Sequence, residues 1–272
     1  MLPKTPDLPN ATFSEVTRIN GINLWYALFG PPIGCGQIPV VFLHGGKINS
    51  NWWGLQIKHV ADKGYPVIAL DTRGHGRSSD DDAVAFSYDL FADDTAALLA
   101  YLKVPKASVA GWSDGANTAL SLAMRYGDKL DRALIFGANY QPDQVDIEGM
   151  LAIPFLGDVK SRMRSECEAL SPHPDNFERF MAKMGLMQGT LPNWNEESFA
   201  QIKTRLEDPI HAPIMWIVDG ASEEIIPRRV FREIKDMIPG SSQIVVQVGH
   251  FGPLRNPDSF NILLDRWLGE SR

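Results

Sequence analysis

An α/β fold with a mainly parallel, eight-stranded sheet is predicted for this chain by three observations. Short apolar runs alternate with helix-like segments along most of the sequence. The later runs are continuous Val, Ile, Leu and Phe, the pattern of strands buried on both faces of a parallel sheet. One stretch, residues 139–209, breaks the alternation and reads as a helical lid inserted into the core. The 272 residues suit one large domain with such an insertion. The core is then 1–138 with 210–272.

The elements follow in order. Residues 15–19 and 22–29 flank Asn20-Gly21, a two-residue turn that favours an antiparallel hairpin. Further strands are read at 39–44, 66–71, 107–112, 132–137, 213–220 and 243–249. Residues 89–102 carry Leu90, Ala97, Leu98, Tyr101 and Leu102 along one helical face. Residues 258–268 carry Phe260, Leu263, Leu264, Trp267 and Leu268 at i, i+3, i+4, i+7, i+8, a core-facing stripe. Strand–helix alternation implies right-handed crossovers, which flank the sheet with helices. Within 139–209, helix-like pieces near 158–169, 175–187 and 195–206 make a segment far longer than a single crossover of about a dozen residues.

Composition narrows the function classes. The chain is 44% hydrophobic and 22% charged, with a net charge of −7. An acidic chain without a basic stripe argues against nucleic acid and anionic membranes as partners. Cys35 and Cys167 have no metal-ligand spacing and read as free thiols. No apolar run reaches the ~20 residues of a transmembrane helix, and the first residues lack a signal-peptide core. The cytoplasm is therefore the expected location. Asp80-Asp81-Asp82 is the longest charge run and reads as a solvated loop; Asn10-Ala11-Thr12 is a chance sequon.

The chemistry centres on Gly111-Trp112-Ser113-Asp114-Gly115, which ends a strand and opens a helix. A serine in a sharp strand-to-helix turn is pushed out of the backbone, and the flanking glycines remove β-carbons that would collide. The helix then aims its N–H groups at the site. Such a serine needs a base and the base an orienting acid. His250, after the last strand, would share the sheet edge with Ser113. His59, His173 and His211 read as surface residues, His75 as part of a hydrogen-bonded turn and His44 as structural. Asp219, Glu223 and Glu224 all lie near the end of the seventh strand, and spacing alone does not choose among them. Oxyanion donors would be the amides of Asp114 and of Gly46 in the His44-Gly45-Gly46 turn.

Four motifs in this order, 44–46 (HGG), 71–78 (DTRGHGRS), 111–115 (GWSDG) and 249–253 (GHFGP), make the chain resemble an α/β-hydrolase-fold serine hydrolase over roughly 15–140 and 210–270. The elbow most resembles the valacyclovir-hydrolase-like branch of small esterase-like enzymes. The resemblance implies no cofactor and no metal. Its usual acid motif, Gly-x-x-Asp-x-(Ile/Val)-(Ile/Val)-Pro, puts Glu223 in the acid position, with Glu224 as backup; a second family option offers only Asp143. It implies an apolar small-molecule ester or lactone as substrate. Aminopeptidase-like, C–C-cleaving and perhydrolase activities, or a non-catalytic ligand-binding role, are the alternatives. Trp52, Trp53, Trp112, Phe251 and the lid methionines Met181, Met184 and Met187 are candidate pocket walls, each read first as plain core; of these, Trp53 and Trp112 are assigned to substrate binding. The Asp114 carboxylate is read either as a site for a substrate amine or as a helix cap.

Overall fold

The computed structural model describes residues 2–202, 208 and 210–270. Its eight strands are β1 (Phe13–Ile19), β2 (Ile22–Phe29), β3 (Val40–Leu43), β4 (Val67–Leu70), β5 (Ala107–Trp112), β6 (Leu130–Phe136), β7 (Ile214–Gly220) and β8 (Ser242–Val246). They form one sheet in the order β1-β2-β4-β3-β5-β6-β7-β8. β1 and β2 pair antiparallel, as do β2 and β4; all later neighbours run parallel. The hairpin turns on Asn20 (φ 42°) and Gly21 (φ 84°), the two positive φ values that a type I′ turn requires.

The continuous apolar runs have a simple cause. Neighbouring residues of a strand point to opposite faces, and here both faces are covered. Val41 and Leu43 of β3 enter one core with Ile68, Ile135 and Ile217; Val40 and Phe42 enter the other with Leu134 and Val218. On the first face lie α2 (Tyr88–Tyr101), α3 (Asp114–Tyr126) and α8 (Arg228–Met237). On the second lie α1 (Gly54–Asp62) and α10 (Pro257–Gly269), whose Phe260, Leu263, Leu264 and Trp267 are buried. α9 (Gly252–Arg255) is a single turn before α10. Among the described residues no helix is long and apolar enough to cross a membrane.

Between β6 and β7 the chain forms α4 (Ile147–Leu151), α5 (Leu156–Leu170), α6 (Phe177–Thr190) and α7 (Glu196–Phe199). The first two helical pieces read from the sequence here are α5 and α6, each slightly longer than expected. Of the third, only α7 and Ala200–Ile202 can be described; 203–207 lie outside the described residues. The loop at 80–82 is anchored rather than merely solvated. Lys183 of α6 pairs with Asp80 at 2.6 Å, and Arg179 pairs with Asp82. On α5, Glu166 accepts hydrogen bonds from Thr5 Oγ1 (2.6 Å), Asn49 Nδ2 (2.8 Å) and Trp52 Nε1 (2.7 Å). These contacts seat the inserted helices on the core.

Candidate active site

The C-terminal ends of β3, β5, β6, β7 and β8 meet at one edge of the sheet, and the chemistry gathers there. Ser113 joins β5 to α3 at φ 57°, ψ −123°, a strained backbone for a residue with a β-carbon. Both flanking glycines are required. A β-carbon on Gly111 would lie 2.4 Å from the carbonyl oxygen of Gly115, and one on Gly115 would lie 2.2 Å from that of Leu43. Ser113 N–H donates to Phe136 O at 2.8 Å, and its own carbonyl caps α3 by accepting from Ala116 and Asn117. The turn is therefore fixed from the strand side and the helix side alike.

His250 lies in the loop after β8 and is buried. Its Nδ1 is 2.7 Å from Glu223 Oε1, and its backbone N–H donates to Glu224 Oε2 at 2.7 Å. Glu223 thus faces the ring and Glu224 holds the main chain. Glu223 Oε1 also accepts from Ile225 N–H at 3.0 Å, which keeps the carboxylate pointed. Burial disfavours a charged His250 ring. The Glu223 carboxylate, with Glu224 and Asp114 farther off, outweighs that cost and raises its pKa above the ordinary value. Gly137, at φ 73°, leaves room for the ring: a β-carbon there would sit 3.0 Å from His250 Cε1. Asp219 is elsewhere occupied, buried in β7 with Arg228 Nε at 2.8 Å.

The turn after β3 closes the site. A β-carbon on Gly45 would be 3.4 Å from Ser113 Cβ, and one on Gly46 would be 2.0 Å from Asp114 Oδ2. Only glycine lets this backbone approach the elbow. The N–H groups of Gly46 and Asp114 make no hydrogen bond among the described residues. His44 lies behind the turn. Its Nδ1 meets Gly45 O at 2.8 Å and its Nε2 accepts from Thr72 N–H at 3.0 Å, so it is structural.

Ser113, His250, Gly46, Asp114 and Trp112 line one cavity of about 570 Å³, within the size range of small-molecule sites. Its apolar wall includes Met150, Leu156, Val159, Met163 and Phe251. The assignment of Trp53 to substrate binding is corrected here, while Trp52 and the methionines follow the core reading. Trp53 does not reach the cavity: it is fully buried, donates Nε1 to Leu43 O at 3.0 Å and packs on Phe42, Trp112 and Phe260. Trp52 is turned toward Glu166 instead. Met184 and Met187 belong to a small core with Phe86 and Phe91, against which Met181 packs. Asp143 lines the cavity but makes no hydrogen bond to His250.

Asp114 does not cap α3 with its side chain. Its Oδ1 accepts from Tyr88 O–H at 2.9 Å and its Oδ2 from Gln188 Nε2 at 2.7 Å. Burial, with the Asp114 charge beside it, raises the Tyr88 pKa well above the usual phenol value, so the hydroxyl remains a donor. Sequence reasoning missed Tyr88 and Gln188. Neither stands in a motif, and both reach the elbow from distant elements.

The fold is shared with known proteins. The α/β hydrolase fold family matches residues 38–171. Serine hydrolase BPHL of Homo sapiens is 31% identical over 263 residues, spanning 94% of this chain and 86% of that protein. Among solved structures, Est816, described as an N-acyl homoserine lactone degrading enzyme, superposes with a TM-score of 0.65 at 24% identity, covering 91% of this chain and 98% of its own. The enol-lactonase of Burkholderia xenovorans LB400 gives 0.68 at 19% identity, covering 93% and 98%.

Proposed function

The chain belongs to the α/β hydrolase family, and from that premise we propose that it is a serine hydrolase that cleaves a carboxylic ester or lactone through an acyl-enzyme on Ser113. One observation carries the reading: the His250 ring, held by Glu223 at 2.7 Å, lines the same cavity as the strained Ser113. With Nδ1 donating to the carboxylate, Nε2 is the nitrogen left to accept a proton. Ser113 Oγ attacks the carbonyl carbon as its proton passes to His250. The developing oxyanion is taken by the N–H groups of Gly46 and Asp114, at the positive end of α3. The protonated His250 gives its proton to the departing alkoxide, and a water molecule deacylates the enzyme by the same steps in reverse. Glu223 keeps the ring in its productive tautomer.

We read the segment 139–209 as the lid of this site. Val145, Ile147, Met150, Val159, Met163, Gln188 and Leu191 come from it and complete the cavity over Ser113. Excluding water there strengthens every electrostatic interaction with the oxyanion.

The test is direct. A fluorophosphonate probe should label Ser113, and purified protein should hydrolyse 4-nitrophenyl esters. Ser113→Ala should remove the label and lower kcat by on the order of 10⁴-fold or more while leaving thermal unfolding unchanged. Full esterase activity in Ser113→Ala would refute the assignment.

A further inference from the structure

Among the described residues that line the cavity, Lys47 alone is a lysine or arginine. It directly follows Gly46, so the chain delivers it beside the proposed oxyanion donors. Its backbone lies at φ 65°, a left-handed conformation that costs a residue with a β-carbon about 1–2 kcal/mol. Asn or Gly would take that position with less strain, yet a lysine is held there by the surrounding turn.

The Lys47 side chain is half-buried and has no hydrogen bond or ion pair among the described residues. The Asp114 charge acts on it, but both Asp114 oxygens are already engaged by Tyr88 and Gln188, and no ion pair with Lys47 forms among the described residues. A half-buried ammonium without a partner is costly, and a ligand anion would offset that cost. Burial lowers the Lys47 pKa, opposed by the Asp114 charge and reinforced by Lys160 of α5, which is what an unneutralised cation in a cavity wall shows. The lining also includes the apolar Met150, Leu156, Val159 and Met163. Asp143 is exposed at its lining. The cavity therefore combines an apolar lining with one lysine, placed directly after Gly46.

We propose that the substrate carries a carboxylate in addition to its scissile carbonyl, and that Lys47 selects for it by pairing with that anion. This specifies the substrate class of the serine-hydrolase reading and rests on it for turnover, though not for binding.

Binding and turnover can therefore be measured apart. Ser113→Ala protein is titrated calorimetrically with monomethyl adipate and with methyl hexanoate, a neutral ester of the same acyl chain length. The anion should bind about tenfold tighter or more, as a charge-assisted contact implies. Lys47→Met in the same background should erase the difference, and Lys47→Arg should restore most of it. Equal affinities with Lys47 present, or a preference that survives Lys47→Met, would overturn the proposal. In the active enzyme, the kcat/KM ratio of 4-nitrophenyl hydrogen adipate over 4-nitrophenyl hexanoate should show the same preference and the same loss. If Lys47→Met lowered both esters equally, Lys47 would be serving the oxyanion and the proposal would fall. An intact binding preference without turnover of either ester would uphold the anion site and strike the hydrolase reading alone.

Discussion

Two adjacent glutamates divide one histidine between them. Glu223 meets the His250 ring and Glu224 its backbone N–H, each at 2.7 Å. Glu223→Gln should lower kcat/KM on the order of 10³–10⁴-fold, because the amide can impose the wrong tautomer. Glu224→Gln keeps an acceptor for the N–H and should cost far less. The pH profile separates them further. A base must be unprotonated, and the His250 pKa is raised, so the acid limb of kcat/KM should lie above the ordinary value of 6.5. Removing the Glu223 charge leaves burial, which lowers the pKa, and the limb should move to lower pH in Glu223→Gln. A limb that stayed in place would contradict the pairing. The register of the acid motif made Glu223 legible in the sequence. The division of labour with Glu224 was not, because it depends on how the loop after β7 folds against the loop after β8.

At the scale of elements, the elbow is a close approach of three backbones. α3 begins against the end of β3, with room only for hydrogen at Gly115. Gly115→Ala should therefore cost about 3 kcal/mol or more, as overpacking does, read as a lowered urea midpoint at unchanged slope. Gly127→Ala, where a β-carbon meets nothing within 4 Å, is the control. Element types and order were readable because the strands are buried on both faces and the hairpin carries its Asn-Gly turn. Which apolar residues line the cavity was not readable. Trp53 and Met163 are both apolar, and only tertiary packing decides that one is core and the other wall. Tyr88 and Gln188 reach Asp114 from 26 and 74 residues away along the chain, beyond any motif.

Across the whole molecule, buried charge and buried neutrality set the response to acid. Burial pushes His75 down to about 3 and lowers His44 as well, so both stay neutral in the folded state. The unfolded chain protonates both below about pH 6.5. It then binds more protons than the fold, and stability must fall as the pH drops, by at most about 2.7 kcal/mol per pH unit from this pair. His250, raised instead of lowered, does not contribute to that loss. Urea titrations at pH 7, 6 and 5 should show the decline, and His75→Gln should flatten it. A second dependence is the Arg73–Asp94 pair, bonded at 2.7 and 2.8 Å with both side chains at most 2% exposed. Arg73→Leu strands a buried carboxylate and should cost about 3–5 kcal/mol. The same long-range economy appears at Asp114, whose two oxygens belong to different parts of the molecule: Tyr88 lies in the core, while Gln188 lies in the inserted helices. The residue after Ser113 is thus a shared fastener, and the two parts are not interchangeable modules. A chimera that set a foreign insertion on this core would leave one Asp114 oxygen without its donor beside Gly46. Exchanging the insertion means exchanging the residue after Ser113 with it.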